Sequence, residues 1–210
     1  MNEKRWSNSL VSKIQKAIDQ LESNNSKLVV KDGQRLPYAY EIVRYPDQEP
    51  KAVKKTVYET DLLIYEQLTD RAWKPRLIIE VKINGISTHD AITYSQKASA
   101  HKTVHPYLRY GILLGNLKQK SLPGRLFRHG AYFDFMLSWK TLNPSMDEFK
   151  NLVDLIRSEI KTSRHLEEII FDSRKQNRKR YTLFHRPLKL KEEKTVYSRK
   201  ENPSKPIESY

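Results

Sequence analysis

The 210-residue chain contains no cysteine, so disulfide scaffolds, Cys-ligated zinc fingers, iron–sulfur centres and thiol catalysis are excluded. Glycine is scarce, at six residues, and none falls into a GxGxxG, GxxxxGK(S/T) or GxSxG arrangement. Dinucleotide binding, ATP-driven chemistry and a serine nucleophile elbow therefore lack sequence support. No apolar run nears the ~20 residues of a membrane helix, and the opening MNEKRWSNSL lacks the apolar centre of a signal peptide. A soluble cytoplasmic protein with no membrane span is expected. Acids are also in short supply: 25 Asp and Glu face 39 Lys and Arg, a net charge of +14. Such an excess calls for a polyanionic partner, such as nucleic acid or an anionic membrane surface. Half of it lies in the last 39 residues, because positions 172–210 hold twelve Lys or Arg against five acids.

At 38% hydrophobic and 30% charged residues, the composition suits one folded domain with appendages. Apolar positions recur at helical spacing over 7–22, through Leu10, Val11, Ile14, Ala17, Ile18 and Leu21, and Asn24-Asn25-Ser26 closes the segment. Three short runs rich in Tyr, Ile, Val and Leu, at 38–45, 60–67 and 76–83, predict successive antiparallel strands. Helical spacing returns over 88–105, with Thr88 as N-cap, Asp90 in the first turn and Pro106 as the stop. Its Ala91, Ser95, Ala98 and Lys102 make a mostly small face that can lie close to a sheet. RYGILLG at 109–115 predicts a buried strand, and a further strand is expected within 130–139 after the Pro123-Gly124 turn signal. Ser145 and Glu148 have capping-box spacing ahead of an apolar stripe through Phe149, Leu152, Val153, Ile156 and Ile160; a second helical piece follows at 163–174. The expected layout is a core over 1–140, a helical extension packed on it over 141–180, and a basic extended arm or disordered tail over 181–210.

The chemistry centres on an acid opening the second strand run and a Glu-x-Lys triplet ending the third: Asp61, Glu80 and Lys82. Side chains two apart on a strand share a face, so Glu80 and Lys82 point together while Val81 points into the core. Glu-x-Lys occurs at 49–51, 80–82, 148–150, 159–161 and 192–194, and only 80–82 follows a strand-like apolar run, Leu77-Ile78-Ile79. A hairpin centred near residue 71 pairs positions that sum to about 142, which brings Asp61 opposite the neighbourhood of Val81 and beside Glu80. Adjacent carboxylates repel unless a cation neutralises them, and oxygen ligands from Asp61, Glu80 and the Val81 carbonyl suit Mg²⁺ better than zinc. Such a site can polarise a phosphate oxygen and acidify bound water, with Lys82 orienting that water or offsetting charge in the transition state. The competing reading is a surface ion pair of Glu80 with Lys82 beside an unrelated Asp61.

On these residues the chain resembles the PD-(D/E)xK nuclease superfamily, the restriction-endonuclease-like fold, over about residues 7–116: an αβββαβ order with Asp61, Glu80, Val81 and Lys82 on the motif positions. The resemblance implies an α/β fold with a mixed central sheet flanked by helices, Mg²⁺ held by the two acids, and hydrolysis of phosphodiester bonds in double-stranded DNA. A Type II restriction endonuclease acting as a homodimer is the expectation. A repair, recombination or transposition nuclease of the same fold is the alternative among enzymes, and a noncatalytic nucleic-acid-binding protein the alternative outside them.

The match has departures. The literal Pro46-Asp47 pair precedes the second run, whereas Asp61 follows Thr60, so Asp47 is a weaker candidate. Glu22 and Glu41 are candidates for an additional acid; Gln96 matches one branch of the superfamily but is followed four residues later by Ala100 where that branch has tyrosine. Lys97, Lys102, His105 and Arg109 are expected to line a DNA groove beside the metal site, or else to form a solvated helix face. Arg174, Lys175, Arg178, Lys179, Arg180 and Arg186 form a basic cluster suited to phosphate. His101 and His105, four apart without HExxH, read as phosphate contacts or helix-end charge rather than zinc ligands. The twelve tyrosines read chiefly as core packing. No side chain is identifiable as a reader of base edges.

Overall fold

The Asn2 side chain accepts a hydrogen bond from the Arg5 amide and so opens α1, Glu3–Asp19, four residues ahead of the expected start. The computed structural model describes residues 1–20, 27–45, 52–68, 71–118, 121–185 and 187–191. Trp6, Leu10, Ile14 and Ile18 repeat at helical spacing along α1 and are all buried, which fixes the face it turns to the core. The remaining elements are β1 (Lys27–Asp32), β2 (Arg35–Arg44), β3 (Ala52–Glu59), β4 (Leu62–Gln67), β5 (Trp73–Ile83), α2 (Thr88–Val104), β6 (Arg109–Gly115), α3 (Gly124–His129), β7 (Phe135–Ser138) and α4 (Met146–Asp172).

Five strands form one mixed sheet in the order β1-β4-β5-β6-β7. The β1–β4 and β4–β5 pairs are antiparallel, and the β5–β6 and β6–β7 pairs are parallel. The protein is thus mixed α/β. One face buries Leu62, Ile64, Leu77, Ile79, Val81 and Leu113 against α1 and α4. The other buries Leu63, Ile78, Tyr110, Ile112 and Leu114 with Ala91 and Ala98 of α2 and Leu126 of α3. Alternation along β5 therefore sends Val81 to the α1/α4 side and Glu80 and Lys82 to the α2 side, as the two-residue period requires. Gly115 lets α1 close on the end of β6: a Cβ there would stand 2.4 Å from the Trp6 indole. The same Trp6 donates to the Leu142 carbonyl, so the start of α1 is pinned beside the ends of β5 and β6.

Several elements depart from expectation. The run at 38–45 is not the first strand of the core; it falls in β2, which pairs only with β3 in a separate two-stranded ribbon. The strand beside β4 is instead β1, KLVVKD, whose three apolar residues are too few to announce it against Lys and Asp neighbours. Ser87, not Thr88, caps α2 through a capping box with Asp90, and the buried face runs through His101 rather than Lys102. Short α3 follows Pro123 in a stretch expected to be only a connection. The two expected C-terminal helical pieces are one 27-residue helix, because Ser163 is buried within it and interrupts nothing. Residues Met1–Lys179 make one compact unit, which includes α4; Arg180–Tyr210 is a second, whose described residues are exposed and carry no helix or strand.

Candidate functional site

The β4–β5 hairpin sets the geometry. Leu62 pairs with Ile79 and Leu63 with Ile78, one step from the expected register, so Asp61 enters just before β4 beside the end of β5. One Asp61 carboxylate oxygen accepts a hydrogen bond from the Val81 amide at 2.9 Å, and the Asp61 carbonyl accepts from the Ser7 hydroxyl at 2.8 Å. Asp61 is thereby fixed from both β5 and α1, next to Glu80.

Glu80 is only 1% exposed. Its Oε1 lies 3.0 Å from Lys97 Nζ of α2 and accepts a hydrogen bond from the Tyr110 hydroxyl of β6. Burial, reinforced by the charge of Asp61, pushes the Glu80 carboxyl up to about 7 even though Lys97 and Tyr110 favour its ionised form. Burial and then the Glu80 charge also drive the Tyr110 phenol well above its ordinary value, so it remains a donor. Lys97 is held elsewhere too: it donates to the Glu59 carbonyl at 3.2 Å and lies 5.5 and 5.2 Å from the Tyr58 and Tyr94 ring centroids.

Lys82, two residues on and on the same face, reaches Glu3 at 3.2 Å, Asp90 at 3.9 Å and the Tyr94 ring at 4.9 Å. Burial alone would lower its pKa, but hydrogen bonding to Tyr94 and Glu3 outweighs that and raises it. Lys82 is therefore a permanent cation rather than a proton acceptor. It faces a cleft of about 580 Å³ lined also by Glu3, Asn84, Ser87, Asp90 and Arg125. Glu3, Asp61, Glu80 and Asp90 against Lys82, Lys97 and Arg125 leave this cluster one negative charge from neutral when all are ionised, inside a chain of +14.

Asp61 and Glu80, two carboxylates at adjacent strand ends, could hold a hard divalent cation completed by backbone oxygen and water. Among the described residues, no group of three or more His, Asp or Glu side chains converges as a ready-made metal cage. The fit rests on Asp61 and Glu80.

Sequence reasoning missed Glu3, Tyr94 and Tyr110, and misassigned Lys97. Glu3 and Tyr110 come from elements 77 residues before and 30 after Glu80, so no local spacing signals them. Lys97 turns inward to Glu80 instead of lining a groove. Arg109 is buried on the opposite face of the sheet, between Asp134 at 2.8 Å and Glu159 at 2.5 Å, and Lys102 holds Asp134 and the Tyr132 carbonyl. Both are committed to internal ion pairs. His101 is fully buried, its Nδ1 3.2 Å from the Pro37 carbonyl, and burial lowers it to about 4; it is a neutral packing residue rather than a phosphate contact. Burial lowers His105 as well. Gln96 and Glu41 are exposed, while Glu22, Asp47 and Arg186 lie outside the described residues.

Arg174, Lys175, Arg178, Lys179 and Arg180 are exposed, as a phosphate-binding cluster must be, but the first four follow α4 at the far end of the sheet from Glu80. Trp139 bonds Glu148, Arg109 bonds Glu159 and Lys74 bonds Glu167, so α4 runs from the C-terminal ends of the parallel strands back toward their starts. Among the described residues no helix is long and apolar enough to cross a membrane. No protein-family model, curated protein or solved structure matches this chain significantly.

Proposed function

We propose that this protein is a Mg²⁺-dependent endonuclease acting on double-stranded DNA, of the restriction-endonuclease-like kind, with Asp61, Glu80 and Lys82 as its catalytic residues. The supporting observation is the hydrogen bond from the Val81 amide to Asp61, which sets the two carboxylates at neighbouring strand ends with Lys82 on the Glu80 face. With β2 and β3 set aside, the order α1-β1-β4-β5-α2-β6 runs αβββαβ, which supports the reading. Asp61, Glu80 and the Val81 carbonyl would hold the ion, which supplies neutralisation of a phosphate oxygen and a more acidic water. Lys97 meets the Glu80 charge until then. Lys82, cationic throughout, offsets the charge that builds on the phosphate, and Glu3 and Asp90 fix where its ammonium stands. Cutting both strands needs two sites, which a homodimer of this chain would supply.

The test is the full chain with long mixed-sequence duplex DNA, with and without Mg²⁺, beside Asp61→Ala and Glu80→Ala. Metal-dependent cutting that vanishes in both variants is expected, and discrete fragments would separate restriction from structure-specific repair or recombination. Wild type that binds DNA and leaves it intact with Mg²⁺ and Mn²⁺ across several sequences would sink the hydrolytic reading and leave the noncatalytic one.

A further inference from the structure

Among the described residues, the ribbon β2–β3 is anchored at its base. Leu36 is buried, the Tyr38 and Tyr58 rings stack at 3.8 Å and both meet His101 of α2 edge-on, and Gly33, Gln34 and Thr60 close the strand ends with backbone hydrogen bonds. Beyond Ala39 and Thr56 it leaves the body of the protein. Tyr40, Ile42, Val43, Tyr45 and Val53 are 47–65% exposed there. Opposed residues of an antiparallel pair share a face, so Tyr40 and Ile42 lie with Lys55 and Val53 on one side of the ribbon, and Glu41 lies with Lys54 on the other.

Two acids accompany four cations on the described ribbon: Glu41 faces Lys54 and Glu59 faces Arg35 in the register, and Glu59 also lies 3.7 Å from Lys4. Among the described residues, no acid stands within ion-pair distance of Arg35, Arg44 or Lys55. The base of the ribbon also touches the candidate site, since the Glu59 carbonyl and the Glu80 carboxylate share the Lys97 ammonium.

We propose that β2–β3 is a DNA-reading arm that enters the major groove of the duplex being cut, with Tyr40, Ile42 and Val53 toward base edges and the long side chains of Arg44 and Lys55 reaching the flanking phosphates. This rests on the nuclease reading for the identity of the polymer at the site. A two-stranded ribbon fits the ~12 Å major groove of undeformed B-DNA, whereas entry into the ~6 Å minor groove requires the duplex to be widened or bent, and the deep, narrow major groove of duplex RNA does not admit side chains. The six steps from Ala39 to Tyr45 span ~20 Å, long enough to cross that groove. A second copy of the chain is the poorer occupant, because among the described residues the ribbon carries four cations to two acids, and pairing two ribbons sets like charge against like.

Binding of the full chain to a fluorescent mixed-sequence DNA duplex in EDTA tests the arm without cleavage. Replacing Tyr40→Ser, Ile42→Ser and Val53→Thr together, all exposed positions, should weaken binding about tenfold or more with little change in salt dependence. Arg44→Ala with Lys55→Ala should flatten the slope of log K against log salt by about 1.8. Melting curves check that both variants are folded. Affinities within twofold of wild type for both variants overturn the arm, as does an RNA duplex bound equally well through the same residues. Loss of a wild-type dimer in sedimentation with DNA affinity intact assigns the face to a second copy instead. A wild type that grips DNA by the ribbon but never cuts it leaves the arm standing and removes the hydrolytic reading, so the two failures are distinguishable.

Discussion

Glu80 is where burial and charge conflict most sharply. Its carboxyl, ordinarily at 4.5, is raised to about 7 by burial and the neighbouring Asp61 charge. Between those values the folded chain keeps a proton that the unfolded chain has lost, so stability falls as pH rises through that window and stays lower above it. A shift of this size is worth on the order of 3 kcal/mol. Glu80→Gln cannot ionise and escapes the penalty: at pH 8 it should melt above wild type, the two curves should converge near pH 4.5, and added Mg²⁺ should raise only the wild type. A variant melting below wild type at pH 8 contradicts this. At this scale Asp61, Glu80 and Lys82 were legible because strand alternation and one hairpin fix them locally. Lys97 and Tyr110 were not, because their contacts with Glu80 depend on how α2 and β6 pack across the sheet.

Elements were legible where their pattern was strong and local. The Ser145–Glu148 capping box and the β4–β5 hairpin appear nearly as expected, with the hairpin one register step away. Edge strand β1 and ribbon strand β3 were not, since half-polar strands do not declare themselves without the neighbour that buries them. The same dependence on neighbours misled the reading of Arg109, whose sequence context suggests a surface cation. It instead joins β6 to α4 through Glu159 and to the approach to β7 through Asp134. Burial raises the Glu159 carboxyl, with Arg109 opposing. Arg109→Ala would leave two buried carboxylates short of a partner, a loss of roughly 3–5 kcal/mol. For a domain of this size that lowers Tm by about 10 °C. Calorimetry should show the drop, while DNA affinity measured well below the transition stays at the wild-type value; a phosphate contact would give the opposite pair of results.

Within the compact unit, the cluster Arg174, Lys175, Arg178 and Lys179 and the candidate site lie at opposite ends of the sheet. Lys74 pairs with Glu167 near the end of α4 while Lys82 lies one residue before the end of β5 at the site, and eight residue steps along the strand separate the two lysines by about 26 Å. Arg174, Lys175, Arg178 and Lys179 lie beyond that far end, so they cannot share a phosphate with the candidate site, yet one duplex lying along the molecule spans such a distance within a helical turn. Lys175 is already matched by Asp172 at 2.7 Å, and Arg178 donates to the Ser173 carbonyl, but both remain exposed enough to meet an anion. On the proposed reading, their part would be nonspecific grip, with the ribbon supplying selectivity. Replacing all four by alanine should flatten the salt slope of DNA binding by about 2 to 4, because each phosphate that they no longer neutralise keeps its counterion. Melting temperature and Mn²⁺ affinity, read by the quenching of its paramagnetic resonance signal, should not move, because neither Asp61 nor Glu80 feels charges at that range through a Debye length of about 8 Å. An unchanged salt slope would reduce the cluster to a solvated surface and concentrate DNA binding at the ribbon end alone.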